Sequence, residues 1–349
     1  MSAEAPHAAD TPSPGGTPFP GGTTIREYLP GDEHGILATF NRVFSAVDPN
    51  FKPHTLEQWR WRYLDNPGGW RIFVTVTPDG RVVTQCAAIG QRMLLDGAHG
   101  SFCQLVDSMS DPAFREWRTK PSAFATCSVK FWDHYGSNPD TVVWGLPVPA
   151  AWRVGKRDMR YAVVRTQTRL VGSARTWQSA AAPQVDVEEV HDIPTDIDHL
   201  FARAAAPYKA IAVRDAALLT WRFLRHPEHR YTLAVARRSG RAVGLCVHRT
   251  GELEGERVGL VCEWLVDPGD DGARAALGTW LLARTHADGA KRFVAFLPDS
   301  CVEWLPLQHL GMRVEASSYF IVGREAGRGH DMRWLYHNWY YTLGDTDLV

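Results

Sequence analysis

A heptapeptide occurs twice in this chain. Trp61-Arg62-Tyr63-Leu64-Asp65-Asn66-Pro67 returns as Trp221-Arg222-Phe223-Leu224-Arg225-His226-Pro227, 160 positions later. The register holds without a gap through Gly80-Arg81 and Gly240-Arg241 to Cys86 and Cys246. A shared Trp-Arg pair alone would carry no weight. Trp, Arg, Leu, Pro, Gly-Arg, Val and Cys kept in one register is a duplication. A chain of 349 residues has room for two domains, and its 44% hydrophobic content can fill two cores.

The flanks repeat as well. A short alternating run precedes each box, Thr24 to Tyr28 and Val187 to Val190, followed by a helical pattern at Gly35–Phe44 and Ile197–Ala205. After each proline come two β-rich runs joined by a turn dipeptide, Asp79-Gly80 and Ser239-Gly240. Asp107 to Pro112 then matches Glu263 to Pro268, and helical segments follow at Ser122–Tyr135 and Ala273–Asp288. Val142 to Pro147 matches Phe293 to Pro298, and Trp152 matches Trp304. Each copy reads strand, helices, antiparallel strands, a strand ending in an acidic residue, helix, strand, short helix, strand. Residues 1–22, rich in Pro, Gly, Ala and Thr, read as a disordered tail. The expected division is 23–171 for the first domain, 172–185 for a linker and 186–349 for the second.

This order resembles the GNAT N-acetyltransferase superfamily in its tandem form, over nearly all of residues 23–349. The residues that carry the resemblance are the two WR boxes, the segment Asp107 to Arg115, Trp144-Gly145-Leu146-Pro147 and the C-terminal Trp339 to Asp347. The resemblance implies an α+β fold of two GNAT-like domains, each a mixed, mostly antiparallel sheet flanked by helices. It also implies fourth and fifth strands that splay apart around the pantetheine of an acyl-CoA. The pyrophosphate would rest on the N-terminus of the next helix, where unpaired N–H groups and the helix dipole attract anions.

Both copies depart from the glycine-containing phosphate loop of that superfamily. The first has Arg115, Arg118, Lys120 and Ser122 there; the second has glycines, but also Asp267, Asp270 and Asp271, which repel a pyrophosphate. The first copy is therefore the expected acyl-CoA site, with Ser108 and Met109 beside it, and the second is expected to be degenerate. The alternative for the basic loop is a solvated surface.

Acyl transfer to an amine needs a base, an oxyanion donor and an acid for the leaving thiolate. The resemblance places the base on the fourth strand, at Asp107 and Glu263. A carboxylate buried on an apolar strand would have a raised pKa suited to that task; otherwise these are strand-end carboxylates satisfied by Arg or backbone. The superfamily's usual Tyr acid is replaced by Trp152 and Trp304, which can only donate, so the acid is unassigned. Trp59, Trp61 and Trp221 read as core anchors, whereas Trp70 and Trp117 could stack on a substrate. Tyr336, Trp339, Tyr340 and Tyr341 are expected to pack a terminal strand on the sheet.

Other classes receive no support. The formal charge of −1, with basic residues spread out, argues against nucleic acid or an acidic membrane as partner. No apolar run approaches the roughly 18 residues of a membrane helix. The six cysteines and fourteen histidines show no metal-ligand spacing, so no metal is expected, and the cysteines read as thiols of a cytoplasmic protein. The first expectation is acyl transfer from acetyl-CoA or another acyl-CoA to a small-molecule or sugar amine. A non-catalytic binding or scaffold protein, and an acyl donor carried on an acyl carrier protein, are the alternatives. Monomer and homodimer both remain open.

Overall fold

A computed structural model describes residues 16–115, 122–136, 140–178, 184–325 and 329–349. The first copy contains β1 (Thr17–Phe19), β2 (Thr23–Glu27), α1 (Asp32–Ser45), α2 (Leu56–Tyr63), β3 (Trp70–Val76), β4 (Val82–Leu95) and β5 (Ala98–Ser110). It continues with α3 (Pro112–Arg115), α4 (Ala123–Tyr135), β6 (Val142–Gly145), α5 (Pro149–Asp158) and β7 (Ala162–Ser173). The second contains β8 (Asp186–Val190), α6 (Ile197–Ala204), β9 (Ala210–Ala212), α7 (Ala216–Leu219), β10 (Thr232–Arg238), β11 (Arg241–Leu253) and β12 (Glu256–Val266). Then come α8 (Asp271–Ala287), β13 (Arg292–Ala295), α9 (Trp304–His309), β14 (Arg313–Glu325), α10 (Met332–Asn338) and β15 (Trp339–Tyr340). The element order follows the one read from the sequence, with β1, β9 and α10 added, and Asp107 and Glu263 lie inside β5 and β12 and not at their ends.

The two hairpins form where the turn dipeptides stand. Ser239-Gly240 forms a two-residue turn with φ of 49° and 78°, whereas β3 and β4 are joined by the longer loop Thr77–Arg81, in which Gly80 has a φ of 83°. Both WR boxes lie in helices that begin on side-chain caps at equivalent positions. Thr55 caps α2 in a reciprocal capping box with Gln58, and Asp215 caps α7 through Leu218 N–H. Helix α7 then continues as a π-turn over Thr220–Leu224. None of the described helices is long and apolar enough to cross a membrane.

The strands make one continuous sheet, in the order β1-β2-β3-β4-β5-β6-β14-β7-β13-β12-β11-β10-β8. The two copies trade their last strands. β7, at the end of the first copy, pairs antiparallel with β13 of the second, whereas β14 of the second pairs with β6 of the first. β7 and β14 also pair with each other. The sequence reading kept each last strand in its own copy, because alternation identifies a strand but not its neighbour.

Two boundaries differ from the expected ones. Thr17–Phe19 pairs with Thr23–Ile25, so the ordered sheet begins inside the segment read as a tail; residues 1–15 lie outside the described ones. The segment read as a linker begins inside β7, and Trp177 within it is 8% exposed.

The second copy has one large apolar core around β10–β13 and α8, joined by Leu170, Val171 and Trp177 from the end of the first copy. The first copy divides its core among three clusters. One lies under α1 and α2, one under α4, and one under the C-terminal segment with Met93, Phe102, Trp144, Trp339 and Tyr341.

Candidate functional site

The two WR boxes meet. The Trp61 and Trp221 rings stack with centroids 5.0 Å apart and planes 19° from parallel. Trp61 Nε1 donates to the Trp221 carbonyl at 2.9 Å, and Trp221 Nε1 donates to the Trp61 carbonyl at 2.8 Å. This reciprocal pair marks a pseudo-twofold axis between the copies, and the core-anchor reading of both tryptophans holds. Beside it lies a pocket open to solvent. Trp61, Arg62, Gly90 and Gln91 line it from the first copy; Trp221, Arg222, His226 and Glu263 line it from the second. The segment Gly344 to Val349 forms a third wall. Gly68 and Gly90 allow the first-copy wall to close on itself: a Cβ on Gly68 would stand 2.0 Å from the Gly90 carbonyl.

Fourth and fifth strands part in both copies. β5 and β6 pair in parallel only from Phe102–Val142 to Gln104–Trp144, and β12 and β13 only from Gly259–Phe293 to Val261–Ala295. Each fourth strand then carries a bulge beside its acidic residue. At Asp107 the backbone is left-handed, with φ of 49°.

Beyond that point the copies differ. In the second, the main chain of β12 past the split is taken up by the protein itself. Thr342 Oγ1 donates to the Cys262 carbonyl at 2.9 Å, Glu263 Oε1 accepts from Trp264 N–H at 3.0 Å, and the Tyr340 hydroxyl donates to the Trp264 carbonyl. Trp177 packs between β13 and α8, edge-on to Phe293 and so tightly on Gly278 that a Cβ there would lie 2.1 Å from its ring. Trp264 Nε1 and the Arg274 guanidinium both donate to Glu303 in the same interior. The N-terminus of α8 is occupied by its own Asp270, which accepts from Ala273 N–H at 2.9 Å. In the first copy, α4 starts on the neutral cap Ser122, which accepts from Ala125 N–H at 3.2 Å, and its first turn holds no acid.

Asp107 does not have the raised pKa expected of it. Burial pushes its carboxyl up, but Arg62, donating to both oxygens at 2.8 and 2.7 Å, and the Tyr63 hydroxyl at 2.9 Å hold it below the ordinary value. The expectation fits Glu263, which is 2% exposed. Burial pushes it up to about 7, against the pull of Arg214 at 3.1 Å and with a further push from Asp345. Arg214 also donates to Asp345, so it ties β12 to the C-terminal segment. Of the other sequence candidates, Ser108 is exposed and the Met109 side chain sits in the core under α1 and α2. Arg118 and Lys120 lie outside the described residues, as does the Arg115 side chain. Trp117 is likewise outside them, and Trp70 is half-buried edge-on to Tyr28. Trp144 packs on Trp339 and donates to Gln91, and Trp152 packs on Phe320.

Sequence reasoning missed two features of the pocket. His226 accepts from the N–H groups of Glu228 and His229 at its Nδ1, both at 3.1 Å, so its proton sits on Nε2. Burial, then Arg222, pushes its pKa down to about 2. The C-terminal segment is the second. Arg222 donates to the main-chain oxygens of Gly344, Thr346 and Val349, Gln91 to that of Asp345, and Gln104 Nε2 to Asp347 Oδ1 at 2.7 Å. Of the expected aromatic cluster, Trp339, Tyr340 and Tyr341 pack on the sheet, whereas Tyr336 lies on α10, half-buried under Arg165, and the residues after the cluster cross to the first copy. No local pattern marks them, since their partners lie up to 254 positions away.

No family model matches the sequence, and no curated protein matches it either. Solved structures do. A conserved protein of unknown function from Enterococcus faecalis, described as a probable N-acyltransferase, superposes with a TM-score of 0.64 at 14% identity, over 90% of this chain and 74% of its own. A GCN5-related N-acetyltransferase from Anabaena variabilis gives 0.63 at 10% identity, over 87% and 73%. Saccharomyces cerevisiae N-myristoyltransferase with bound myristoyl-CoA gives 0.54 at 12% identity, over 92% and 86%. The likeness establishes the fold: two GNAT-type units in tandem.

Proposed function

We propose that this tandem GNAT-fold chain is an acyl-CoA-dependent N-acyltransferase that binds acetyl-CoA in its first copy and an amine in the pocket between the copies. The observation that carries this reading is the asymmetry of the two strand splits. In the second copy the main chain past the split is bonded by Tyr340 and Thr342, Trp177 packs between β13 and α8, and the N-terminus of α8 is capped by Asp270. In the first, α4 offers uncharged N–H donors behind Ser122, an arrangement suited to a pyrophosphate. Arg115, Arg118 and Lys120 precede α4 in the sequence and would bring positive charge to such a group, and the main chain at Ser108 and Met109 can bond a pantetheine amide, as a neighbouring strand would. Asp107 stays ionised and fixes Arg62 in the pocket wall; Glu263 anchors the segment that closes the pocket.

Isothermal calorimetry with acetyl-CoA tests the reading. One saturable site per chain is expected, weakened by Arg118→Ala with Lys120→Ala. Absence of binding at millimolar acetyl-CoA overturns it, and two equivalent sites overturn the asymmetry.

A further inference from the structure

We propose that Asp347 holds the ammonium group of the acceptor and takes its proton, and that the acceptor is a primary amine on an apolar body. The proposal rests on the acyltransferase reading and deepens it.

The other charged side chains that line the pocket are committed. Arg62 is paired with Asp107, Arg92 with Asp215, and Arg214 with both Glu263 and Asp345. Arg222 spends its donors on main-chain oxygens of the C-terminal segment. Asp347 is exposed and lines the pocket; among the described residues it has no ion pair, and its carboxylate accepts from Gln104 Nε2 at Oδ1 and from its own backbone N–H. Its other oxygen is available to a ligand cation, for which a charge-assisted hydrogen bond is the strongest simple contact.

Its place matters as much as its charge. Gln104 is the last residue of β5 paired to β6, so Asp347 stands where the first-copy strands part. A thioester lying in that split would face it. Trp61 and Trp221, whose faces are taken up by each other and, for Trp61, by His226, add apolar ring edges to the same pocket beside Ile89, Leu218 and Phe223. Such a lining favours an apolar body behind the ammonium.

The chemistry balances. Asp347 takes one proton from R–NH3+, leaving R–NH2 and a neutral carboxyl. The nitrogen lone pair forms the N–C bond to the thioester carbon, and the C–S bond breaks as the tetrahedral intermediate collapses. The second nitrogen proton goes to the departing thiolate, and Asp347 later releases its own proton to water. The net products are amide, CoA thiol and one proton.

Phenethylamine and 2-phenylethanol are the probes, measured by calorimetry on the full chain with wild type, Asp347→Asn and Asp347→Glu. Wild type is expected to bind the amine and not the alcohol at millimolar concentration. Asp347→Asn is expected to lose at least about tenfold in amine affinity while keeping acetyl-CoA affinity, and Asp347→Glu to recover part of it. Turnover with acetyl-CoA and phenethylamine is expected to fall on the order of a hundredfold in Asp347→Asn. Equal amine affinity in wild type and Asp347→Asn overturns the proposal, as does wild type that binds the alcohol as well as the amine or binds neither. Amine binding that needs Asp347, in a protein that ignores acetyl-CoA, would leave the ammonium site standing and remove the acyltransferase reading instead.

Discussion

The two copies put different groups at equivalent positions. His54, Arg62, Tyr63 and Asp107 in the first correspond to Arg214, Arg222, Phe223 and Glu263 in the second. In the first copy Arg62 serves the strand carboxylate. In the second that task passes to Arg214, which frees Arg222 to hold the C-terminal segment. One pair of exchanged roles turns a symmetric duplication into a closed half and an open half. Duplication supplies a scaffold twice, and function can then be concentrated on one face of it.

The largest expected effect breaks the closed half. Arg214 is fully buried between Glu263 and Asp345, so Arg214→Ala strands two carboxylates and should cost about 3–5 kcal/mol in urea unfolding. The next tests the symmetric element. Trp61→Ala and Trp221→Ala should each cost roughly 3 kcal/mol, with the double variant costing clearly less than the sum because each removes the same stack. Unequal single costs would show that the stack belongs mainly to one copy.

A third prediction uses the opposite titrations of Asp107 and Glu263. Glu263 is pushed up from 4.5 to about 7, so the folded chain keeps a proton that the unfolded chain releases. Its stabilisation is complete below pH 4.5 and is lost as pH rises through about 7; Glu263→Gln should remove that decline, up to a few kcal/mol. Asp107 is held below 3.8, so its contribution is present above that value and lost as pH falls through its folded pKa. Asp107→Asn should therefore flatten the acid side of the curve. Chemical denaturation across pH reads both slopes, and slopes of the same sign would refute the contrast. The smallest effect copies one half into the other. Ser122→Asp gives α4 the acidic cap that closes α8, and acetyl-CoA should bind about tenfold more weakly with little change in stability.

Most of the fold was legible in the sequence because its signals are local. Alternation marked the strands, Asp79-Gly80 and Ser239-Gly240 marked the turns, and the one register from Trp61 to Cys86 marked the duplication. Asp270, one of the acids that the sequence places before α8, forms the cap of that helix. The pocket was less legible. Asp107 was expected to titrate high because its strand is apolar, and only the folded chain brings Arg62 onto it from 45 positions away. Asp347 and Trp177 sit in stretches with no period, and their importance comes from Gln104 and Gly278 across the molecule.

The traded last strands bear on how the protein is made. On a ribosome, the first copy emerges with β6 exposed along the edge that β14 will later cover, and its own β7 has no β13 to join. The N-terminal half cannot finish folding before residues 313–325 leave the exit tunnel. A nascent chain halted after the first copy should therefore expose a sticky strand edge, a natural client for a chaperone.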